Sequence, residues 1–346
     1  MIRIALLAPI AHRLPPTGYG PWERVVADLA RGLVAAGHDV TLFGVTDSDT
    51  PARLVATTPH PLEEWPAGDP PPDHRVWEDL HIAKAVESIS TGKFDIVHSH
   101  MNVHPLGYAA LLRTPIVTTL HGSAWNHSIH PALKRYRGLP FVSISDSERA
   151  FYPGLDYVAT VHNGIDTDVF DVGAGAGGYL VFAGRMAPEK RPDLAIDAAR
   201  RAGMPIRLAG PIETRYRDYF AAEVRPALTG PDTAYLGNLA RHELIELYGG
   251  ASALLMPLDW DEPFGLVVVE SLACGTPVIG WRRGALPELI RDGITGAVVD
   301  DVEGAVAALA RLEEFDRAKC RADAESRFGI AEMSRGYEEA YARVLA

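Results

Sequence analysis

The sequence predicts an α/β protein built from two doubly wound units in tandem. Short apolar runs alternate with stretches of helical periodicity through both halves, and that alternation restarts after a glycine-rich break at 171–178. A chain of 346 residues also exceeds what one core usually organises. Hydrophobic residues make up 47% of it, enough for two cores.

Residues 2–8, IRIALLA, read as a first strand ahead of a Pro- and Gly-rich loop. Trp22, Val25, Val26, Leu29, Leu33 and Val34 then recur at helical spacing, and Gly37 stops the helix. DVTLFGV (39–45), DIVHSH (95–100), PIVTTLHG (115–122) and FVSISD (141–146) are further strands. Residues 59–75 carry six prolines and read as a surface loop, not a domain boundary. The boundary falls at DVGAGAGG, 171–178, too glycine-rich to pack a core and expected to be flexible. The expected division is 1–168 and 169–329, with a last helix at about 330–346.

Beyond the break, YLVFAGR (179–185), PIRLAGP (205–211), AYLG, ALLMP (253–257), PVIGW (277–281) and AVVD (297–300) supply strands, with helices between them. Ligands in such sheets bind beyond the carboxyl ends of the strands, and a cleft shared by two such units is the expected site.

Composition narrows the function. Lys plus Arg number 33 against 45 Asp plus Glu, a net charge of -12 that argues against nucleic acid as a partner. Two cysteines make no disulfide framework and fit a reducing cytoplasm. MIRIALLAPI has neither signal-peptide nor spanning character, so membrane contact is expected to be peripheral at most. Oligomeric state is not encoded in any of these patterns.

Three constellations carry chemistry. In DEPFGLVVVESLACGTPV, 261–278, Glu262 and Glu270 bracket three valines. The run reads either as a core strand with two incidental carboxylates or as a helix starting near Phe264, Gly265 and Leu266 and closed by Gly275 and Pro277. On the helical reading, the amides of Phe264, Gly265 and Leu266 point out of an N-terminus that attracts phosphate. In GRMAPEKRPD, 184–193, Arg185 and Lys190 follow a strand, where they would hold a diphosphate or simply pair with nearby acids. In PPTGYGPWE, 15–23, Gly18 and Gly20 allow close backbone approach to a phosphate without completing a known glycine motif.

EPFGLVVVE with ACGTPVI, GRMAPEK, HGSAW and HNGID resembles the family-4 retaining glycosyltransferases, in the right order along nearly the whole chain. The PPTGYG loop is similar to a subgroup that includes antibiotic-tailoring transferases. The resemblance implies the GT-B architecture, two Rossmann-like domains facing across a cleft, with the last helix crossing back onto the first. It implies a nucleotide-diphosphate sugar donor, a UDP-sugar before a GDP-sugar, and a small-molecule, lipid or glycan hydroxyl acceptor. Arg185 and Lys190 match the diphosphate binders, Glu262 the residue on the donor-sugar hydroxyls, and Glu270 the one on the ribose. Phe264, Gly265 and Leu266 match the backbone lining sugar and phosphate, and Leu239 the loop near the nucleobase.

The same resemblance makes His121 a catalytic residue reaching the donor sugar, although as a lone residue it reads first as a satisfied strand-end histidine. Gly18 and Gly20 match the loop that approaches the phosphates, with Tyr19 interrupting the usual Gly-Gly pair and His162 replacing the usual proline before Asn163.

No essential metal or cofactor is expected, since two cations and a helix terminus do a cation's work. His98, His100 and His104 in HSHMNVH have no carboxylate or cysteine partner at a recognised metal spacing. Lys134, Arg135 and Arg137 read as a solvated basic loop, and Trp125, Asn126 and His127 either line the acceptor side or pack as an ordinary loop. The alternatives are a GT-B-type nucleotide-sugar epimerase or phosphorylase, and a non-catalytic nucleotide-sugar-binding relative.

Overall fold

The computed structural model describes every residue except Tyr19, Gly68, Pro71, Ser123 and Ala124. The chain divides into two compact units, Met1–Ile165 with Ile330–Ala346, and Asp166–Gly329.

In the first unit β1 (Arg3–Leu7), β2 (Asp39–Val45), β3 (Arg53–Thr58), β4 (Ile96–Ser99), β5 (Ile116–Thr119), β6 (Pro140–Ser143) and β7 (Asp156–Thr160) form one sheet. Their spatial order is β3-β2-β1-β4-β5-β6-β7, parallel throughout. The order reverses between β1 and β4, the switch point beyond whose carboxyl ends such sheets take ligands. Helices α1 (Pro21–Ala35), α2 (His74–Thr91), α3 (His130–Arg135) and α4 (Asp146–Phe151) accompany it.

Proline at the start of α1 gives up an amide that has no intrahelical acceptor anyway. Its end is a Schellman turn: Gly37, at φ +85°, donates to Val34 O and His38 donates to Leu33 O.

The two strands that sequence patterning passes over, β3 and β7, are the sheet edges. β7 is half-buried except for exposed Asp156, so it lacks the apolar run that marks the central strands. The proline-rich stretch stays inside this unit, and its Trp65 packs with Trp77 against Ile10, Val45 and Leu62.

In the second unit β8 (Leu180–Ala183), β9 (Ile206–Ala209), β10 (Thr233–Tyr235), β11 (Ala253–Met256), β12 (Val278–Trp281) and β13 (Gly296–Val299) form a parallel sheet ordered β10-β9-β8-β11-β12-β13. Its helices are α5 (Pro192–Arg201), α6 (Arg217–Tyr219), α7 (Arg241–Gly250), α8 (Leu266–Ala273), α9 (Leu286–Leu289), α10 (Val302–Leu309) and α11 (Arg317–Phe328). Phe182, Leu208, Leu255 and Ile279 are buried at the centre of the core on one side of this sheet.

The glycine-rich segment is not a free linker. Gly173, Gly175 and Gly177 donate to the carbonyls of Cys274, Gly249 and Gly250. A Cβ at Gly173 would fall 2.1 Å from Gly249 O, so the glycines permit backbone-to-backbone docking where flexibility was expected.

The chain then returns to the first unit as α12 (Ile330–Leu345). It packs on α1 at Gly32, where a Cβ would meet Ser334 Oγ at 2.0 Å, and His38 Nε2 lies 2.8 Å from Glu338 Oε1. Tyr337 and Tyr341 of α12 are fully buried.

Candidate functional site

The opening ambiguity of 261–278 resolves as a helix. The three valines lie in α8, capped by Gly265 at φ +108° and closed by a second Schellman turn, in which Gly275 donates to Leu272 O and Thr276 to Ser271 O. A strand would have placed Val267 and Val268 on opposite faces, whereas in the helix Val268 and Val269 are buried and Val267 and Glu270 only partly so. By position, the amides of Leu266 and Val267 have no carbonyl one turn back, while Val268 donates to Gly265 O at 3.0 Å. By position the N–H groups at the head of α8 are those of Gly265, Leu266 and Val267, overlapping the expected set at Gly265 and Leu266, and the Phe264 ring is buried against Phe328.

Glu262 belongs to the loop before α8, and that loop is fixed by the backbone. Ala285 donates to Glu262 O at 2.8 Å and Gly284 donates to Asp261 Oδ1 at 3.1 Å. A Cβ on Gly284 would fall 2.2 Å from Glu262 N, and its φ is +55°, so only glycine seats this turn against the loop.

The loop after β8 meets the same place. Asp259 donates to Glu189 O at 3.1 Å, joining the two loops through the main chain. Lys190 Nζ pairs with Glu262 Oε2, both side chains 13% exposed, and Trp260 Nε1 donates to the same oxygen at 3.0 Å. The ammonium also lies 5.0 Å from the centre of the Trp260 ring. Arg185 bridges Glu189 at 3.1 Å and Glu213 at 3.3 Å. Two cations expected on a diphosphate are thus already held by carboxylates.

Glu270 is half-buried in α8. Burial first, and then the Glu270 charge, push the Cys274 thiol up to about 12 and raise Tyr248 as well. Leu239 is half-buried just before α7. Trp260 escaped the sequence reading; a single aromatic two residues before Glu262 gives no signal without the fold.

In the first unit His121 sits at the carboxyl end of β5, 5% exposed. His98 pairs with Val117 in the sheet register, so residues 98 and 100 share a face with residues 119 and 121. On that face His100 Nδ1 lies 2.7 Å from His121 Nε2. His98 Nε2 lies 2.8 Å from Thr119 Oγ1 and His98 Nδ1 lies 2.7 Å from Tyr341 of α12, while Thr119 donates to Tyr337 at 3.2 Å. Burial holds all three histidines neutral, His98 and His121 down to about 3 and His100 well below its usual value.

His104, grouped with this pair by sequence spacing, is exposed at the start of a 3-10 turn. Among the described residues no group of three or more His, Cys, Asp or Glu is arranged to hold a metal ion.

Two further contacts fix the His121 end. The Trp22 ring of α1 lies 5.8 Å from the His121 ring. Glu148, fully buried in α4, accepts from the main-chain N–H of Gly122 and, at 3.0 Å, from that of Ile144, yet burial outweighs both amides and raises its pKa to about 8. Gly18 is exposed, and a Cβ there would meet nothing within 4 Å, whereas at Gly20 a Cβ would meet Pro16 at 2.8 Å. Tyr19, between them, lies outside the described residues. Trp125, Asn126 and His127 are exposed, as are Lys134, Arg135 and Arg137.

Residues 22–169 match the family described as Glycosyltransferase Family 4, and residues 171–327 match Glycosyl transferases group 1. A D-inositol 3-phosphate glycosyltransferase of Mycobacterium sp. (strain KMS) is 34% identical over 356 residues, covering 86% of this chain and 79% of its own. A glycogen synthase of Mycobacterium tuberculosis (strain ATCC 25618 / H37Rv) is 28% identical, covering 87% and 84%.

Among solved structures, a glycosyltransferase involved in avilamycin A biosynthesis superposes with a TM-score of 0.75 at 24% identity, covering 100% of this chain and 98% of its own. The Anabaena HepE protein, in complex with UDP-glucose, superposes at 0.72 with 18% identity, covering 99% and 100%. Two parallel α/β sheets of this order are the GT-B fold. The chain belongs to the family-4 glycosyltransferases, and it is a glycosyltransferase enzyme.

Proposed function

We propose that the protein moves a sugar from a nucleotide-diphosphate donor, a UDP-sugar first, to a hydroxyl acceptor with retention at the anomeric carbon. The observation that carries this reading is the junction of Arg185, Lys190 and Glu262 at the carboxyl ends of β8 and β11, beside the first turn of α8. A guanidinium fork and an ammonium carried by one loop, with the ammonium held by the Glu262 that precedes the first turn of α8, are the kinds of group that a departing diphosphate needs.

In the ligand-free protein these charges are satisfied by carboxylates. A diphosphate takes over Arg185 from Glu189 and Glu213, and draws Lys190 from Glu262, which frees the Glu262 carboxylate for sugar hydroxyls. Glu270 takes the ribose, Leu239 lies by the base, and the backbone of Phe264, Gly265 and Leu266 lines sugar and phosphate. The family resemblance further assigns His121 to the donor sugar and Gly18 and Gly20 to the phosphates.

In the transfer the bond from the anomeric carbon to the diphosphate oxygen breaks and a bond to the acceptor oxygen forms on the same face. The acceptor proton passes to the departing phosphate oxygen. The residues gathered at the junction supply charge and hydrogen bonds without a metal ion. The UDP-glucose complex of the Anabaena neighbour makes UDP-sugars the first donors to try.

Nucleotide release in the presence of acceptor tests the reading. Arg185→Ala, Lys190→Ala and Glu262→Gln should each lower turnover about 100-fold, the loss that follows removal of one stabilising donor, with the circular-dichroism spectrum unchanged. Wild-type turnover in all three overturns it.

A further inference from the structure

We propose that His100 is a positioning residue that holds His121 in the tautomer with its proton on Nδ1, so that His121 offers an N–H to a sugar oxygen of the donor. The part that concerns the sugar rests on the donor reading above; the tautomer does not.

One proton lies between His100 Nδ1 and His121 Nε2, 2.7 Å apart, because both rings are buried and neutral. Two arrangements satisfy that contact. If His100 donates, His121 carries its own proton on Nδ1 and His100 Nε2 is a bare lone pair. If His121 donates, His100 carries its proton on Nε2 and His121 Nδ1 is the lone pair. Both outer nitrogens are buried with no hydrogen-bond partner among the described residues.

Their surroundings decide between the two. His100 is fully buried, its ring 4.1 Å from that of His98 and 6.2 Å from that of Tyr337. His98 cannot serve it, since both His98 nitrogens are engaged by Tyr341 and Thr119. A stranded N–H in such a place is rarer in folded proteins than a stranded acceptor. His100 therefore keeps the lone pair inside and gives its proton outward. His121 Nδ1 is itself buried in the ligand-free protein, but His121 stands at a strand end and is 5% exposed where His100 is not exposed at all, so of the two positions it is the one nearer the surface, where a ligand oxygen can satisfy an N–H. Behind the pair, Tyr341 and Tyr337 of α12 hold His98 and Thr119 on the same face of the sheet, and the His98 ring packs on that of His100. The arrangement is legible in sequence as HxH and TxH at two adjacent strand ends.

The test is a long-range proton–nitrogen correlation spectrum of the full chain labelled with 15N-histidine, with the His121 signals assigned by their loss in His121→Gln. The expected wild-type pattern is His121 protonated on Nδ1 and bare on Nε2. His100→Asn, whose amide still donates, should keep that pattern. His100→Asp, which only accepts, should place a proton on His121 Nε2.

Sugar transfer should follow the tautomer, with His100→Asn at least about tenfold more active than His100→Asp, the cost of roughly one misdirected hydrogen bond. A wild-type proton on His121 Nε2, or a tautomer unmoved by His100→Asp, overturns the proposal. The expected tautomers together with no turnover on any nucleotide sugar would overturn the donor reading instead and leave the His100 assignment standing.

Discussion

The cluster in the second unit and the cluster in the first are built on opposite electrostatic plans. Around Glu262 the groups are charged, half-buried and cross-paired, Lys190 with Glu262 and Arg185 with two other carboxylates. Around His121 the groups are buried, uncharged and linked by single hydrogen bonds between neutral rings and hydroxyls. Partly exposed charges exchange partners cheaply, because water screens each intermediate arrangement. Buried neutral groups do not exchange, and their value lies in a fixed direction. The first plan suits a multiply charged leaving group that must arrive and depart. The second suits the orientation of one contact.

Acid should break the comparison most severely. His98 and His121 titrate near 3 in the folded protein, against about 6.5 when free in an unfolded chain. Below about 6.5 the unfolded chain therefore binds protons that the folded one refuses. The stability is fully present above that pH and is lost as pH falls toward about 3. Urea midpoints measured from pH 7 down to pH 4 should decline steadily. Substituting Phe for His98 should flatten part of that decline, whereas midpoints constant from pH 7 to pH 4.5 would contradict a buried neutral chain.

A smaller effect of opposite sign belongs to Glu148. Its folded pKa of about 8 stands above the ordinary carboxyl value of 4.5, so its contribution is full below about 4.5 and is lost as pH rises through about 8. Glu148→Gln keeps the size but turns an amide toward one of the two N–H donors of Gly122 and Ile144. The substitution should cost about 1–3 kcal/mol, the penalty of one buried donor left unpaired. Denaturant titration should show that cost largest near pH 5 and shrinking by pH 9. A neutral substitution at pH 5 would mean that the carboxyl group does not hold the loop after His121.

The sequence patterns that read well were those with a local cause. Gly275 and Pro277 mark the end of α8, and Gly37 ends α1, because a left-handed cap needs glycine wherever the helix lies. Central strands were legible from their apolar runs, while β3 and β7, only partly buried along much of their length, lacked such a run. DVGAGAGG misled for a physical reason: glycine permits both a loose chain and a tightly docked one, and only the partner backbone at Gly249 decides between them.

For the site, the residues that meet were named from motifs, but their state was not. Nothing in GRMAPEK or EPFG says that Lys190 and Glu262 hold each other, because that pairing depends on two loops 72 positions apart. The histidine chain shows the converse. HSH and TLH stood in the sequence with the period that puts them on one face, yet their connection required the register of β4 on β5 and the return of α12.

Calorimetric titration of UDP into the wild type, Arg185→Ala and Lys190→Ala tests the donor cluster most directly. Binding by the wild type should weaken as salt is raised, and the affinity of each variant should be about tenfold or more lower, as expected when a charge-assisted hydrogen bond is removed. Equal affinity in all three proteins would contradict the donor reading.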